Sequence, residues 1–347
     1  MSTTTPATGA ATPGSAPQDD AALIPAIIPS PSKETGNLSP KERRRAKRRA
    51  SLTRRGLPVG ARQNRATQLL VLAGLGLAVI YSAGPIWWLI VASTKGQADL
   101  YASTGFESLW FAEFNLWENL QQIFVYDEGY FLRWMLNSVL YAGVGSFVGM
   151  VISLAAGYGL ARYEFWGKKA VFGAVVASFL LPSALLTIPL YLQFSSWGLV
   201  GSPWAVLIPS FISPFSVYLA KVYIDGAIPP EILEAARIDG AGEVRIFFQV
   251  VMRLMTTGAA TIFLLAFVGN WNSFFTPLTM LGASGKENWP LALGLYAWSG
   301  KRTLEGETID GTSMLILGSL LAIIPLAVFM IAMQRFWKTG VTLGAVK

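Results

Sequence analysis

Residues 231–242 read EILEAARIDGAG and form a polar stretch between two long apolar runs. Pro229 and Pro230 preset φ for a helix start, and Glu231 and Glu234 then fall in first turns, where carboxylates suit the helix dipole. Ala235 and Ala236 are small enough for another surface to approach closely. Asp239 and Gly240 make a turn signal, and Val244, Ile246, Phe247, Val250 and Val251 begin a second amphipathic piece. The expected unit is a short helix, a tight turn and a return helix. Such residue types suit docking onto a partner or, equally, a solvated loop with ordinary capping residues; they do not make or break bonds.

Bond-making chemistry has few candidates. The 347 residues include no Cys and no His. Disulfides, thiolate nucleophiles and the common zinc sites are excluded, and with His goes the usual general base near pH 7. A phosphate-cradling GxxxxGK[ST] motif is absent. The fragments at Gly167-Lys168-Lys169 and Gly285-Lys286-Glu287 lack its glycine spacing and its Ser or Thr. No Asp, Glu, Lys or Arg lies in 134–161, 170–220, 254–285 or 311–334. An ion-coupled carrier usually buries such a group as its coupling site. Uphill transport by this chain would therefore draw its energy from another chain, gripping it on the cytoplasmic side.

Polar and aromatic residues inside otherwise apolar runs are the candidates for a solute path: Asn137, Tyr191, Gln193, Asn270, Trp271 and Asn272. Amides hydrogen-bond sugar hydroxyls, and aromatic faces suit sugar C–H surfaces. The competing reading is that the asparagines bond between helices and Trp271 packs against a neighbour.

The elements that carry these residues are membrane spans. The chain is 53% hydrophobic and 14% charged, with a mean hydropathy of +0.47. A soluble domain is about a quarter charged, and runs of roughly 20 apolar residues cross a bilayer core. Six spans are expected, at about 67–93, 134–160, 170–195, 204–222, 257–281 and 313–334. Pro182, Pro189, Pro209, Pro214, Pro277 and Pro325 interrupt them, and proline kinks such helices. Gly145 and Gly149 form a GxxxG pair, which reads as close helix packing.

Residues 1–66 read as a disordered, basic arm. Eleven Lys or Arg between 41 and 65 face one acid, Glu42. Beside a span this composition reads as an arm lying on anionic lipid, and nucleic acid is not an expected partner. Residues 67–347 form the membrane domain, with a cytoplasmic loop at about 223–256. Basic residues concentrate in 1–66, 161–169 and 335–347, whereas 94–133 holds six acids and two basic residues. This asymmetry places both termini in the cytoplasm. The fold class is an all-α integral membrane protein of six transmembrane helices in the cytoplasmic membrane.

EAARIDGA, ahead of the fifth span, resembles the EAA motif of ABC importer permeases. LRWMLNSVLYA (132–142), GYGLARYEFWGKK (157–169), PPEILEAARIDGAG (229–242), NWNSFFTPL (270–278) and GVTLGAVK (340–347) narrow the resemblance to carbohydrate-uptake permeases, similar to the MalG-like permeases of maltose transporters. The resemblance implies the type I importer permease fold and a coupling helix lying in a groove on an ATP-binding subunit. It implies that Glu234 pairs with a basic residue there, that Ala235 and Ala236 permit close docking, and that Gly240 permits the turn, with Asp239 and Ala241 as flanking matches. The implied partners are a second permease subunit, identical or different, two ATP-binding subunits and an extracytoplasmic solute-binding protein. ATP and Mg would sit on the partner, with no cofactor, metal or catalysis on this chain. The implied function is import of a sugar or oligosaccharide. Another cargo, such as glycerol phosphate, polyamine or peptide, stays open, as does a stand-alone ion-coupled carrier.

The chain departs from the family where an Ile-x-Leu-Pro segment usually closes the motif. Val250-Val251-Met252-Arg253 stands there instead. Without the proline, the return helix is expected to run on unkinked.

Overall fold

The computed structural model describes residues 65–301 and 311–343. The expected arm therefore lies outside the described residues, except for Arg65 and Ala66, and so do the last four residues of the tail. The chain divides into Met1–Gly76 and a body formed by Leu77–Lys347. Among the described residues every regular element is a helix.

The first helix, α1, spans Arg65–Thr94. Short elements follow on one side of the body: α2 (Gln97–Ala102), a turn of 3-10 helix at Gly105–Leu109, and α3 (Leu116–Ile123). Lys95 is buried here; its ammonium donates to Ser103 Oγ at 3.0 Å and to the Glu107 carbonyl at 3.1 Å. The central helix α4 (Tyr130–Arg162) comes next. It is followed by α5 (Lys168–Leu180), α6 (Ser183–Ser196), α7 (Trp204–Ser210) and α8 (Pro214–Ala227).

The loop helix α9 covers Pro230–Ile238. After it come α10 (Glu243–Ile246), a π turn at Phe247–Val251 and α11 (Met252–Leu254). The remaining helices are α12 (Thr256–Trp271), α13 (Phe275–Leu281), α14 (Leu291–Lys301) and α15 (Gly311–Leu343).

Four described segments are long and apolar enough to cross a membrane: Gln68–Thr94, Tyr126–Arg162, Trp204–Ala227 and Gly311–Phe336. Glu243–Leu254 and Thr256–Trp271 count as a fifth only as one pair bent by 84°. The third expected span, 170–195, is two helices of 13 and 14 residues. Pro182 separates them. It forces Leu181 into an extended conformation (ψ 133°) and offers no N–H to continue the ladder. The fifth expected span ends at Trp271, and α13 carries its last turns beyond a break at 272–274.

α4 organises the body. It packs along α8 on one side and along α12 on another. The approach to the α7–α8 segment is close because glycines line it. A Cβ on Gly157 would come within 2.6 Å of Ala220 Cβ, and one on Gly149 within 3.0 Å of the Ser210 carbonyl oxygen. The N-terminal end of α4 grips the backbone of segment 286–289. Trp134 Nε1 donates to the Lys286 carbonyl at 2.8 Å, Arg133 Nε to Glu287 at 2.8 Å and Tyr141 hydroxyl to Asn288 at 2.8 Å. Beyond this strap lies α14, which falls between the fifth and sixth expected spans. Its Leu291, Leu295 and Trp298 are buried with Phe131 and Trp134 of α4.

Candidate functional site

The docking candidate α9 starts as its sequence dictates. Pro229 caps it in an extended conformation and Pro230 supplies the first helical residue. Its end is a Schellman turn. Gly240 adopts φ +78°, the Ala241 N–H donates to the Ala236 carbonyl at 3.0 Å, and the Gly240 N–H donates to Arg237 at 3.0 Å. Glycine takes this left-handed conformation without the Cβ penalty other residues meet.

Helical spacing gives α9 two faces. Leu233 points inward and is 1% exposed, in a cluster with Leu154, Tyr158, Ile224, Ile228 and Ile246. Burial of such a side chain stabilises by about 1.5–3 kcal/mol. Glu231, Ile232, Glu234, Ala235 and Ile238 are exposed, Ile238 by 86%. Val244, after the turn, is 74% exposed. Glu231, Glu234 and Asp239 have no ion-pair partner among the described residues. The two alanines, expected to act together, divide between the faces. Ala235 faces outward, whereas Ala236, like Ala241, packs on the chain's own cluster.

A polar hub secures the loop. Arg237 Nε donates to Glu243 Oε1 at 2.8 Å. The other carboxylate oxygen accepts from the Tyr158 hydroxyl at 2.9 Å and from the Tyr163 hydroxyl. These bonds, Arg237's first and Tyr163's next, hold the Glu243 carboxyl down at about 2. Nearby, Arg162 donates to the Ile224 carbonyl at 2.8 Å and to that of Ile228. It thereby adds a second donor to the Ile224 carbonyl, which already accepts from the Ile228 N–H, and supplies one to Ile228 just past the C-terminus of α8, where a cation is also favoured.

The return helix does not run on unkinked but ends at Leu254. It bends by 84° at Met255, whose ψ of 12° leaves the helical range. A proline is unnecessary for this bend. Met255 is buried in the same cluster as Leu233, and Gly258 lets it lie close: a Cβ there would stand 2.6 Å from Met255 Cε.

The six solute-path candidates scatter. Asn137 Nδ2 donates to the Glu287 and Trp289 carbonyls at 2.8 and 2.9 Å, so it belongs to the strap. Trp271 is buried and stacks on Phe267 with ring centroids 6.0 Å apart. Tyr191 is half-buried in an apolar cluster. Asn270 donates to Ser146 Oγ at 2.9 Å and lines a cavity of about 130 Å³ with Tyr141, Ser210, Ser273 and Thr276. Gln193 and Asn272 are exposed; Asn272 bonds its own helix at Val268, and Gln193 reaches Ser196 Oγ at 3.3 Å. No two of the six share a hydrogen bond or ring contact among the described residues. The cavity at Asn270 is smaller than the ~300 Å³ where sites for drug-sized ligands begin.

Residues 149–340 match the family described as binding-protein-dependent transport system inner membrane component. The chain belongs to this family. It is a permease subunit of an ABC importer, a multi-pass membrane protein and not itself an enzyme. Such a component works with a second permease, ATP-hydrolysing subunits and a solute-binding protein.

The permease is 29% identical over 278 residues to the arabinooligosaccharides transport system permease protein AraQ of Halalkalibacterium halodurans, covering 80% of this chain and 96% of that one. It is 27% identical to the lactose transport system permease protein LacG of Rhizobium radiobacter, covering 79% and 94%. A crystal structure of a bacterial ABC transporter that imports the acidic polysaccharide alginate contains a chain with the same fold. The TM-score is 0.70 at 19% identity, covering 80% of this permease and 99% of that chain.

Sequence reasoning missed the residues that fix the loop in place: Glu243, Tyr158, Tyr163 and Arg162. Their signal was faint. Tyr158 and Arg162 lie four apart, one helical turn, at the polar end of an apolar run, and Glu243 directly follows the turn glycines.

Proposed function

We propose that this permease imports a sugar or oligosaccharide, and that α9 is the helix through which a separate ATP-binding subunit drives it. The observation that carries the reading is the outward face of α9. Ile232, Ala235 and Ile238 form an apolar strip flanked by Glu231 and Glu234, carboxylates without an ion-pair partner among the described residues. An apolar strip with acidic flanks fits an apolar groove edged by basic residues. Glu234 pairs with one such residue, Ala235 allows close approach, and Gly240 and Asp239 fix the exit of the helix. Ala236 and Ala241 seat α9 on its own body.

ATP and Mg are held by the ATP-binding subunit, and this chain binds no cofactor. The loop face lies in the cytoplasm with both termini, and the solute-binding protein docks on the opposite side. ATP closes the ATPase dimer and displaces α9, and the spans then open outward to receive the solute. The path is completed by the second permease subunit, since the cavity at Asn270 is too small for an oligosaccharide. Exposed Gln193 and Asn272 are its candidate lining. Relatives named for arabinooligosaccharides and lactose support a carbohydrate cargo.

The test begins with a growth screen on oligosaccharides, to find the one whose use requires this chain. Glu234→Lys and Gly240→Asp are then expected to abolish its uptake while the protein still inserts in the membrane. Normal uptake in both variants contradicts the reading.

A further inference from the structure

We propose that Glu243 is the positioning residue that makes α9 and the inner end of α4 move as one piece. This rests on the reading of α9 as the docking helix, and it adds the route by which a push on that helix reaches the membrane body.

α9 is nine residues, about 13 Å long at 1.5 Å per residue. Its inward contact is apolar, through Leu233 and Ala236. Apolar contact is non-directional and permits sliding. Its polar contact runs through Arg237, whose guanidinium donates to Glu243 at 2.8 Å. Glu243 hands that bond on to α4, since Tyr158 and Tyr163 both donate to its other oxygen. Tyr158 is itself fixed: buried, with its ring centroid 5.7 Å from that of Tyr163 and 6.1 Å from that of Phe247. α4 is 33 residues, about 50 Å long. Its far end holds the strap at 286–289 through Trp134, Asn137 and Tyr141. A displacement passed through Glu243 therefore arrives at both ends of the body.

The test uses the assembled transporter in lipid nanodiscs, without solute. The chain has no Cys, so Pro230→Cys and Ala156→Cys place the only two thiols of this subunit on α9, clear of its docking carboxylates, and on α4. Spin labels there report the distance between the two helices, nucleotide-free and with ATP plus vanadate. With the hub intact, one narrow population with the same mean is expected in both states. In Glu243→Ala that single population is expected to broaden and its mean to shift between the states. Tyr158→Phe/Tyr163→Phe, which leaves the Arg237–Glu243 bond in place, is expected to do the same. Co-purification of the ATP-binding subunit serves as the assembly check. A distance that shifts with nucleotide when the hub is intact overturns the proposal. So does an unshifted single population in both variants. If Glu234→Lys leaves the ATP-binding subunit bound, the docking reading itself fails, whatever the distances show.

Discussion

Arg237 and Glu243 face each other across the Gly240 turn, guanidinium Nε 2.8 Å from carboxylate Oε1. One residue closes the docking helix and the other opens the return helix, so the pair clasps the turn. Both side chains are over a third exposed, and an exposed pair contributes little by itself. The Arg237 bond, with the two tyrosine donors beside it, makes this carboxylate different from an ordinary surface acid. Its pKa is lowered to about 2, so the clasp's contribution is complete above the ordinary carboxylate range, roughly 4.3, and is lost as pH falls through about 2. The infrared carboxylate band that disappears in Glu243→Gln is expected to stay ionised from pH 8 down to about pH 3. Titration of that band near the ordinary value contradicts the clasp.

Gly240 tests the turn separately from the surface it presents. A Cβ at this position meets nothing within 4 Å, so a substitution costs backbone strain, not a clash. Gly240→Ala is expected to cost about 1 kcal/mol in this left-handed position. Gly240→Asn, which tolerates the conformation better, is expected to cost less. Thermal unfolding of the purified variants measures both. Equal losses for Ala and Asn contradict the conformational account.

Arg162 closes the end of α8 from a neighbouring helix. Arg162→Ala leaves the Ile224 and Ile228 carbonyls without this donor. A loss on the order of 1–3 kcal/mol is expected, read as a lower Tm in mild detergent. Arg162→Lys, which keeps a cation at the helix end, is expected to fall between. An unchanged Tm in Arg162→Ala means that the contact contributes nothing.

Much of this was legible in the sequence. The loop helix, its proline start and its glycine stop were readable because local rules decide them: φ at Pro230 and φ at Gly240. The apolar spans were readable by composition. Their interruptions were not, because Pro182 breaks its span while Pro189 and Pro325 lie inside continuous helices. Nor was the bend at Met255, which depends on Gly258 and on packing with Tyr223, distant in sequence. The solute-path candidates were chosen as polar residues in apolar runs. That criterion also selects residues that hold the body together: Asn137 bonds the strap, and Trp271 packs with Ala142 and Phe329.

Asn137 and Asn272 give the clearest contrast among those candidates. Asn137 bonds two strap carbonyls, so Asn137→Leu is expected to destabilise by about 1–3 kcal/mol and to leave the choice of oligosaccharide unchanged. Asn272 bonds only its own helix and faces outward, so Asn272→Ala is expected to raise the KM for uptake with little change in Tm. Thermal melts and uptake kinetics on the two variants decide it. The reverse pattern would move the path to the strap side of α4.

The central claim is that a separate ATPase grips α9 through its exposed face. The most direct measurement is a mild-detergent pull-down of the tagged chain from its native membrane, with partners identified by mass spectrometry, for the unaltered chain and for Glu234→Lys. The unaltered chain is expected to bring both an ATP-binding subunit and a second permease subunit. Glu234→Lys is expected to keep the permease partner and lose the ATP-binding subunit. An unaltered chain that elutes alone, or a Glu234→Lys chain that retains the ATPase in full, contradicts the account.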